Sequence, residues 1–200
     1  MSDFEQGIAA YEASNFNEAF EILMPLAKVG NSQAQKVIAH IYSLGQGVVA
    51  NATEAIKWYC LAAEQGDPVA QNNLASHLLD ENPEEAIKWY VAAAEQDFPF
   101  AQEVLGDIYS GNLYLPSELA EKIRNNSEAV KWYKKAATKG FPIACHRLGD
   151  MYAIGQGVTK NEEQAVKWYR RAADNNYGPS QKILGEAYQK GLLGLPKFQP

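Results

Sequence analysis

The dipeptide Trp-Tyr occurs four times in this chain of 200 residues, and the four copies contain every tryptophan present. An alanine precedes each tryptophan by three residues, and two consecutive alanines follow it by four and five residues. Spacings of three and four place side chains on one face of a helix. The sequence therefore predicts four copies of one helix, here termed helix B, centred on Trp58-Tyr59, Trp89-Tyr90, Trp132-Tyr133 and Trp168-Tyr169.

A second helix, here termed helix A, repeats in register with helix B. Every helix B is followed by a residue that can end a helix in the left-handed conformation, namely Gly66, Asp97, Gly140 or Asn176. A new helical pattern then begins at a small residue, with Ile or Leu four positions later. The repeating unit is therefore helix A, turn, helix B, turn. The small residues that open helix A are Ala34, Ala70, Ala101, Ala144 and Ser180.

This combination of helix A, a Gly-Gln-Gly-Val turn at residues 45–48 and 155–158, and AxxWYxxAAxxG on helix B resembles the Sel-1-like repeat. That repeat is a relative of the tetratricopeptide repeat (TPR). The resemblance implies an all-α fold, a right-handed α-solenoid of stacked antiparallel helix pairs with about 11 helices. We expect a single solenoid over residues 1–200. Its parts are a TPR-like helix pair at 1–30, repeats at 31–66, 67–97, 98–140 and 141–176, and a terminal half repeat at 177–200.

The third repeat carries an insertion. Steps between successive helices A are 36, 31, 43 and 36 residues, and the extra residues of the long step lie between helix A and helix B, at 112–126. Pro116 and Ser117 favour the start of a short additional helix. One interpretation is a solvated loop that packs against its own repeat. The other is a contact element specific to this chain, formed by Leu113, Tyr114 and Leu115.

Composition favours a location in the cytoplasm. No apolar run approaches the length of a membrane span, so we expect no insertion into a membrane. The first residues lack the basic and apolar regions of an export signal. Secreted members of the family that the chain resembles can carry a disulfide in each repeat, whereas Cys60 and Cys145 do not recur with the repeat. A reducing compartment is therefore expected.

Charge is distributed unevenly along the chain. The formal net charge is -6, with 4 Lys+Arg and 14 Asp+Glu in residues 1–100, and 14 and 10 respectively in residues 101–200. Both halves could simply solvate the surface, or the acidic half could meet a basic partner or the opposite end of another copy. No dense run of Lys and Arg with accessible aromatic residues is present, so we expect no binding of nucleic acid.

Catalytic patterns are weak. The three histidines lie on separate helices A, without a spacing that would hold a metal ion. His77 occupies an apolar position of the repeat and is interpreted as a packing residue. Adjacent residues on a helix point about 100° apart, so Cys145 and His146 are poorly placed to act as nucleophile and base. We therefore expect no enzymatic activity, no cofactor and no metal.

The Trp-Tyr pairs recur with the alanine face and are interpreted as core. In the family that the chain resembles, helices A line a concave groove for peptides or partner helices. Side chains of helix A opposite its core vary between copies, which suits recognition of a protein or peptide. We term these residues the candidate face: Lys36, Val37, His40, Asn72, Asn73, Ser76, Phe100, Glu103, Val104, Asp107, Ile143, His146, Arg147, Asp150, Lys182, Ile183 and Glu186.

The favoured hypothesis is a non-catalytic adaptor that binds a protein partner through the candidate face. Three alternatives remain open from the residues alone. The first is an immunity-type inhibitor that blocks a toxin. The second is an enzyme that uses Cys145 or a histidine. The third is a spacer that assembles with itself through the difference in charge between its ends.

Overall fold

The computed structural model describes residues 1–197, which form twelve α-helices and no β-strand. The prediction of an all-α fold is confirmed. The twelve helices agree with the expected number of about 11, and the insertion of the third repeat contributes one of them. Contacts between Cα atoms divide the chain into two compact units, unit 1 over residues 1–96 and unit 2 from Asp97 onward.

Unit 1 consists of three helix pairs in which every helix packs against its neighbour in the chain. The pair α3 and α4 forms the helix A and helix B of one repeat, and α5 and α6 form those of the next. Its helices are α1 (Asp3–Glu12), α2 (Phe16–Lys28), α3 (Ser32–Leu44), α4 (Ala52–Glu64), α5 (Pro68–Leu78) and α6 (Pro83–Glu95).

Unit 2 contains two complete repeats and a further helix A. In it α7 pairs with α9, α10 pairs with α11, and α12 packs against α11. The predicted extra helix is confirmed as α8, which begins at Ser117. The helices are α7 (Pro99–Ser110), α8 (Ser117–Ile123), α9 (Asn126–Thr138), α10 (Pro142–Ile154), α11 (Glu162–Asp174) and α12 (Gly178–Lys190).

Each helix B of the four repeats begins at an asparagine that caps it. The Asn side-chain oxygen accepts a hydrogen bond from the backbone N–H three residues later, which would otherwise lack a partner in the helix. Replacing such a cap by alanine typically costs about 1 kcal/mol. The four caps are Asn51, Asn82, Asn125 and Asn161.

The predicted left-handed residues after helix B are confirmed. Gly66 has φ +89° and Gly140 has φ +89°, while Asp97 and Asn176 have φ 65° and 61°. Asp and Asn tolerate this region better than other residues with a Cβ, since their short side chains bond locally. The chain therefore reverses within a few residues, and the next helix A can pack beside the helix B that precedes it.

Alanines and tyrosines make up most of the repeated core. The tyrosine of every Trp-Tyr pair is buried, as predicted, together with the two alanines that follow, except for the half-buried Ala173. Among the tryptophans, Trp58 is buried but the other three are half-buried. Basic side chains cover some of the exposed indole surface, as Lys135 does over Trp132 at 4.5 Å from the ring centroid. The tyrosine is thus the inner member of each pair.

Each Gly-Gln-Gly-Val turn packs against the start of a helix that precedes it in the chain, α2 for the first turn and α9 for the second. A Cβ on Gly47 would lie 2.4 Å from the Asn17 side-chain oxygen, and one on Gly157 would lie 2.4 Å from the Asn126 carbonyl oxygen. Both glycines also have positive φ, at 74° and 70°. Only glycine satisfies both constraints, because any Cβ would collide with backbone or side-chain atoms at the start of α2 or α9.

Candidate functional site

The hydroxyl groups of the buried tyrosines connect helix B to the candidate face of unit 1. The Tyr59 hydroxyl oxygen lies 3.2 Å from His40 Nδ1 and accepts a hydrogen bond from Asn73 Nδ2 at 3.3 Å. In the next repeat, Tyr90 bonds to Ser76 Oγ at 2.9 Å. Burial raises the pKa of Tyr59 to about 12, so this hydroxyl stays protonated. These three members of the candidate face therefore bond to the hydroxyls of core tyrosines.

The same connection is made to carboxylates in unit 2. Tyr133 donates to Asp107 Oδ1 at 2.6 Å and Tyr169 donates to Asp150 Oδ1 at 2.8 Å. Tyr133 also bonds to Ser110 Oγ at 3.1 Å and accepts from Asn112 Nδ2 at 3.1 Å. Burial, reinforced by the adjacent carboxylate, raises the pKa of both tyrosines. Asp107 and Asp150 are fixed in orientation as a result.

One rule of position describes one contact of each of the four tyrosines. The partner of the tyrosine is the residue six positions after the small residue that opens helix A, and the tyrosine comes from helix B of the same repeat. These partners all belong to the candidate face, and the repeat pattern alone does not show their bond to the tyrosine. The available signal was their chemistry, since all four can form a hydrogen bond: His40, Ser76, Asp107 and Asp150.

The histidines of unit 1 border a polar pocket of about 200 Å³ that is also lined by Tyr59 and Asn73. His77 Nε2 lies 3.0 Å from Ser43 Oγ, and burial lowers the pKa of both His40 and His77. Both imidazoles are therefore neutral at physiological pH. Each already has a hydrogen-bond partner, as expected for a residue with a structural role.

Unit 2 exposes an aromatic cluster, here termed the Phe cluster, which consists of Phe98, Phe100 and Phe141. The Phe100 ring packs edge-on against Phe141 at a centroid distance of 4.8 Å and lies 5.6 Å from Phe98. Phe100 nevertheless keeps 56% of its surface exposed. Phe98 and Phe141 occupy N-cap positions, so they provide no side-chain cap for α7 or α10. Asn31 and Asp67 provide that cap in unit 1.

Of this cluster, only Phe100 belongs to the candidate face predicted from the sequence. The signal for the other two members was present, because Phe98 and Phe141 stand directly before the prolines that begin α7 and α10. An aromatic residue at a position that favours Asn, Asp, Ser or Thr leaves the helix without a side-chain cap. An aromatic residue holds this position at three successive helices A, with Tyr177 before α12, which indicates that these aromatic side chains have another role.

An incompletely neutralised acidic pair lies next to the Phe cluster. Glu103 and Asp107 are one helical turn apart on α7, and Arg147 Nε of α10 lies 3.4 Å from Asp107 Oδ1. Glu103 forms no ion pair within the described residues. Burial, with a further contribution from Asp107, raises its pKa to about 7. The cost of charging Glu103 is therefore only partly offset by its surroundings.

The structure corrects part of the candidate face. Val37 is 9% exposed and belongs to the core of unit 1, and His146 is 8% exposed. His146 Nδ1 bonds to Ser180 Oγ at 2.8 Å, and its ring packs against Tyr177. Desolvation, the largest influence, lowers its pKa. Neither residue offers enough surface for a partner, because the next helix A covers His146 and core side chains cover Val37.

The remaining candidate residues are accessible to different degrees. Exposed members are Ser76, Phe100, Lys182 and Glu186. Half-buried members are Lys36, His40, Asn72, Asn73, Glu103, Val104, Asp107, Ile143, Arg147, Asp150 and Ile183.

The insertion of the third repeat divides into an inner and an outer part. Leu115 is only 5% exposed, so the expectation that it contacts a partner is corrected, whereas Tyr114 is 92% exposed. Leu113 is half-buried. The apolar Leu115 side chain anchors the loop, and Tyr114 alone of the three projects fully into solvent.

Residues that could carry chemistry are dispersed. Within residues 1–197, no group of three or more His, Cys, Asp or Glu side chains could hold a metal ion. Both cysteines are unpaired, and burial raises the pKa of each thiol. Cys145 Sγ contacts the Ala137 carbonyl oxygen at 3.7 Å rather than the His146 ring. None of the described helices is both long and apolar enough to cross a lipid bilayer.

The Sel1 repeat model matches the sequence at residues 32–67, 68–98, 99–141, 142–177 and 179–198, which is most of the chain. The chain belongs to the Sel1 repeat family. The resemblance stated from the sequence is thereby confirmed, and the helical arrangement is that of a Sel1 repeat solenoid.

Solved structures agree with this assignment. A Sel1 repeat protein from Oxalobacter formigenes is 34% identical, with a TM-score of 0.86 over 98% of this chain and 79% of that one. The protective antigen c5321 of uropathogenic Escherichia coli strains, which has an SLR fold, is 26% identical with a TM-score of 0.74. The match covers 98% of this chain, which spans 50% of that antigen.

A more distant solved structure shares the fold alone. It is the immunity protein PA5088 from Pseudomonas aeruginosa, at 19% identity and a TM-score of 0.56 over 92% of this chain and 71% of that one. No protein of curated function matches the sequence.

Proposed function

We propose that this Sel1 repeat protein is a non-catalytic scaffold that binds a protein or peptide partner through the candidate face of its helices A. One observation carries the proposal. The core positions keep the same alanines and tyrosines in every repeat, while the candidate face changes from polar to aromatic. A partner whose own surface varies along its length would require this arrangement. Exposed Phe100 provides the largest apolar contact on that face.

The state of the polar side chains supports a binding role over catalysis. The buried hydroxyls of the Trp-Tyr pairs and the histidines of unit 1 have hydrogen-bond partners. The two thiols contact Glu64 and the Ala137 carbonyl oxygen. A nucleophilic cysteine needs a lowered pKa, which is the opposite of the shift at Cys60 and Cys145. As part of the same proposal, the protein works in a reducing compartment such as the cytoplasm, supported by its two unpaired cysteines.

The test compares two double variants in an affinity capture followed by mass spectrometry. One replaces Phe100 and Lys182 of the candidate face by alanine, and the other replaces Leu61 and Lys88 of helices B. All four side chains have exposed surface, so both variants should keep their helical content in circular dichroism. We expect the first variant to lose a partner that the second retains. The same partners for both variants would contradict the proposal.

The immunity-type alternative is a special case of the same binding chemistry. The likeness to PA5088 supports the fold and motivates the test, without assigning a target. We therefore propose it second. If it is correct, co-expression of this chain should restore the growth of cells that produce a toxin encoded beside its gene. Growth arrest that persists at full expression of the chain would exclude it.

A further inference from the structure

We propose that α7 of unit 2 recognises a partner segment carrying an apolar side chain and a neighbouring Lys or Arg, the first bound by the Phe cluster and the second by Glu103. This inference rests on the proposed function and specifies the chemistry of the partner. Phe100 and Glu103 are three residues apart on α7, so they lie side by side on one face of the helix.

The apolar half of the site follows from the exposure of the Phe cluster. Phe98 and Phe141 both pack against the Phe100 ring, yet more than half of Phe100 remains open to solvent. Substituting an aromatic residue for a capping residue typically costs about 1 kcal/mol at each helix. A rigid, partly exposed aromatic ring that is held by its neighbours has the character of an interface anchor.

The basic half of the site follows from Glu103. Its carboxyl is half-buried, lies near the like-charged Asp107, and has no ion-pair partner among the described residues. Arg147, which is paired with Asp107, and a backbone hydrogen bond at Ala144 only partly offset the burial of Glu103. An amino or guanidinium group brought to Glu103 by a partner would therefore supply the charge that the free protein lacks. The raised pKa of Glu103 agrees with a carboxylate whose charge is not fully balanced by nearby cations.

The spacing of the two subsites restricts the partner. Side chains three residues apart on a helix have Cβ atoms about 5–6 Å apart. A partner can match that separation with residues two apart in an extended strand or three to four apart in a helix. The partner segment thus combines one apolar and one basic side chain on the same face.

The test measures the fluorescence anisotropy of three labelled peptides of equal length titrated with the full chain at about physiological salt, where exposed charges are screened. One peptide repeats Leu-Leu-Lys-Lys, so that a Leu and a Lys lie two residues apart throughout and share a face when the peptide is extended. The second replaces every Lys by Glu, and the third replaces every Leu by Ser. We expect the Leu/Lys peptide to bind about tenfold or more tightly than either of the others, since each lacks one of two anchors. Equal binding of the Leu/Lys and Leu/Glu peptides would overturn the proposal.

Matched variants locate the site. Phe100→Ala and Glu103→Gln should each weaken binding of the Leu/Lys peptide by about fivefold or more. Glu118→Gln on α8 removes the same charge from an exposed position and should leave binding unchanged. If Glu103→Gln and Glu118→Gln weaken binding equally, the attraction comes from net charge and the proposed site is wrong. Loss of a captured partner on Phe100 substitution without any preference for basic peptides would refute this chemistry while leaving the scaffold function intact.

Discussion

Gly106 of α7 and Gly185 of α12 occupy the same position of the repeat but have opposite surroundings. A Cβ on Gly106 would lie 2.3 Å from Cδ1 and 2.4 Å from Cε1 of Tyr133. Gly149 of α10 meets Tyr169 in the same way, at 2.5 Å. A Cβ on Gly185 meets nothing within 4 Å. Replacing each glycine by alanine therefore separates the effect of helix propensity from the effect of packing.

The expected free energies have opposite signs. Alanine is favoured over glycine inside a helix by about 1 kcal/mol, so Gly185→Ala should raise the free energy of unfolding by that amount. Overpacking a core position typically costs about 1–3 kcal/mol. Tyr133 cannot easily move aside, because its buried ring is fixed by hydrogen bonds to Asp107, Ser110 and Asn112. Gly106→Ala should therefore lower the free energy of unfolding by about 1 kcal/mol net.

Urea unfolding followed by circular dichroism measures both changes. We expect the midpoint to rise for Gly185→Ala and to fall for Gly106→Ala and Gly149→Ala. In a Tyr133→Ala background the clash is absent, so adding Gly106→Ala should then be stabilising. A Gly106→Ala variant as stable as Gly185→Ala, in the presence of Tyr133, would refute the packing argument.

Three further predictions concern titration, hydrogen bonding and thiol access. Glu103 has a folded pKa of about 7 and an ordinary value of 4.5, so the folded state binds more protons between these pH values and stability falls as pH rises through them. Glu103→Gln should thus stabilise the protein more at pH 8 than at pH 4, and urea midpoints that shift equally at both would contradict this. Tyr133→Phe should lower the free energy of unfolding in urea by about 2 kcal/mol. Tyr90→Phe should lower it less, because the exposed Ser76 hydroxyl can bond to water instead. Equal losses for the two variants would show that water also replaces the lost hydroxyl at the partners of Tyr133. A thiol reagent should modify the half-buried Cys60 before the buried Cys145 in the native protein, with equal rates only in urea; faster labelling of Cys145 in the native state would indicate an activated thiol.

Much of the fold could be predicted because the repeats share residues at positions that packing constrains tightly. The alanine face, the left-handed residues after helix B and the start of α8 at Ser117 all depend on local sterics, which few residue types satisfy. The burial of the tyrosines followed from their repetition alongside the alanines. Comparison of the repeats was therefore sufficient to place these elements.

The candidate site was harder to predict, because a hydrogen bond requires a suitable donor or acceptor but not one particular residue type. A tyrosine hydroxyl can bond to histidine, serine or aspartate equally well, so the partners differ between repeats and resemble a variable surface. The sequence of one repeat also does not show which of its side chains a neighbouring repeat buries. His146 has the pattern of a surface residue on its own helix and is covered by α12.

The tyrosine hydroxyls have a consequence for how such a protein can change its partner during evolution. At Asp107 and Asp150, a substitution that alters the candidate face also removes the acceptor of a buried hydroxyl. New specificity at these positions therefore carries a penalty in folding, and stabilising changes elsewhere must come first or together with it. Phe100 and Lys182 make no such bond among the described hydrogen bonds, so changing them does not leave a buried hydroxyl without its partner. Divergence among descendants of this chain should accumulate first at these untethered positions.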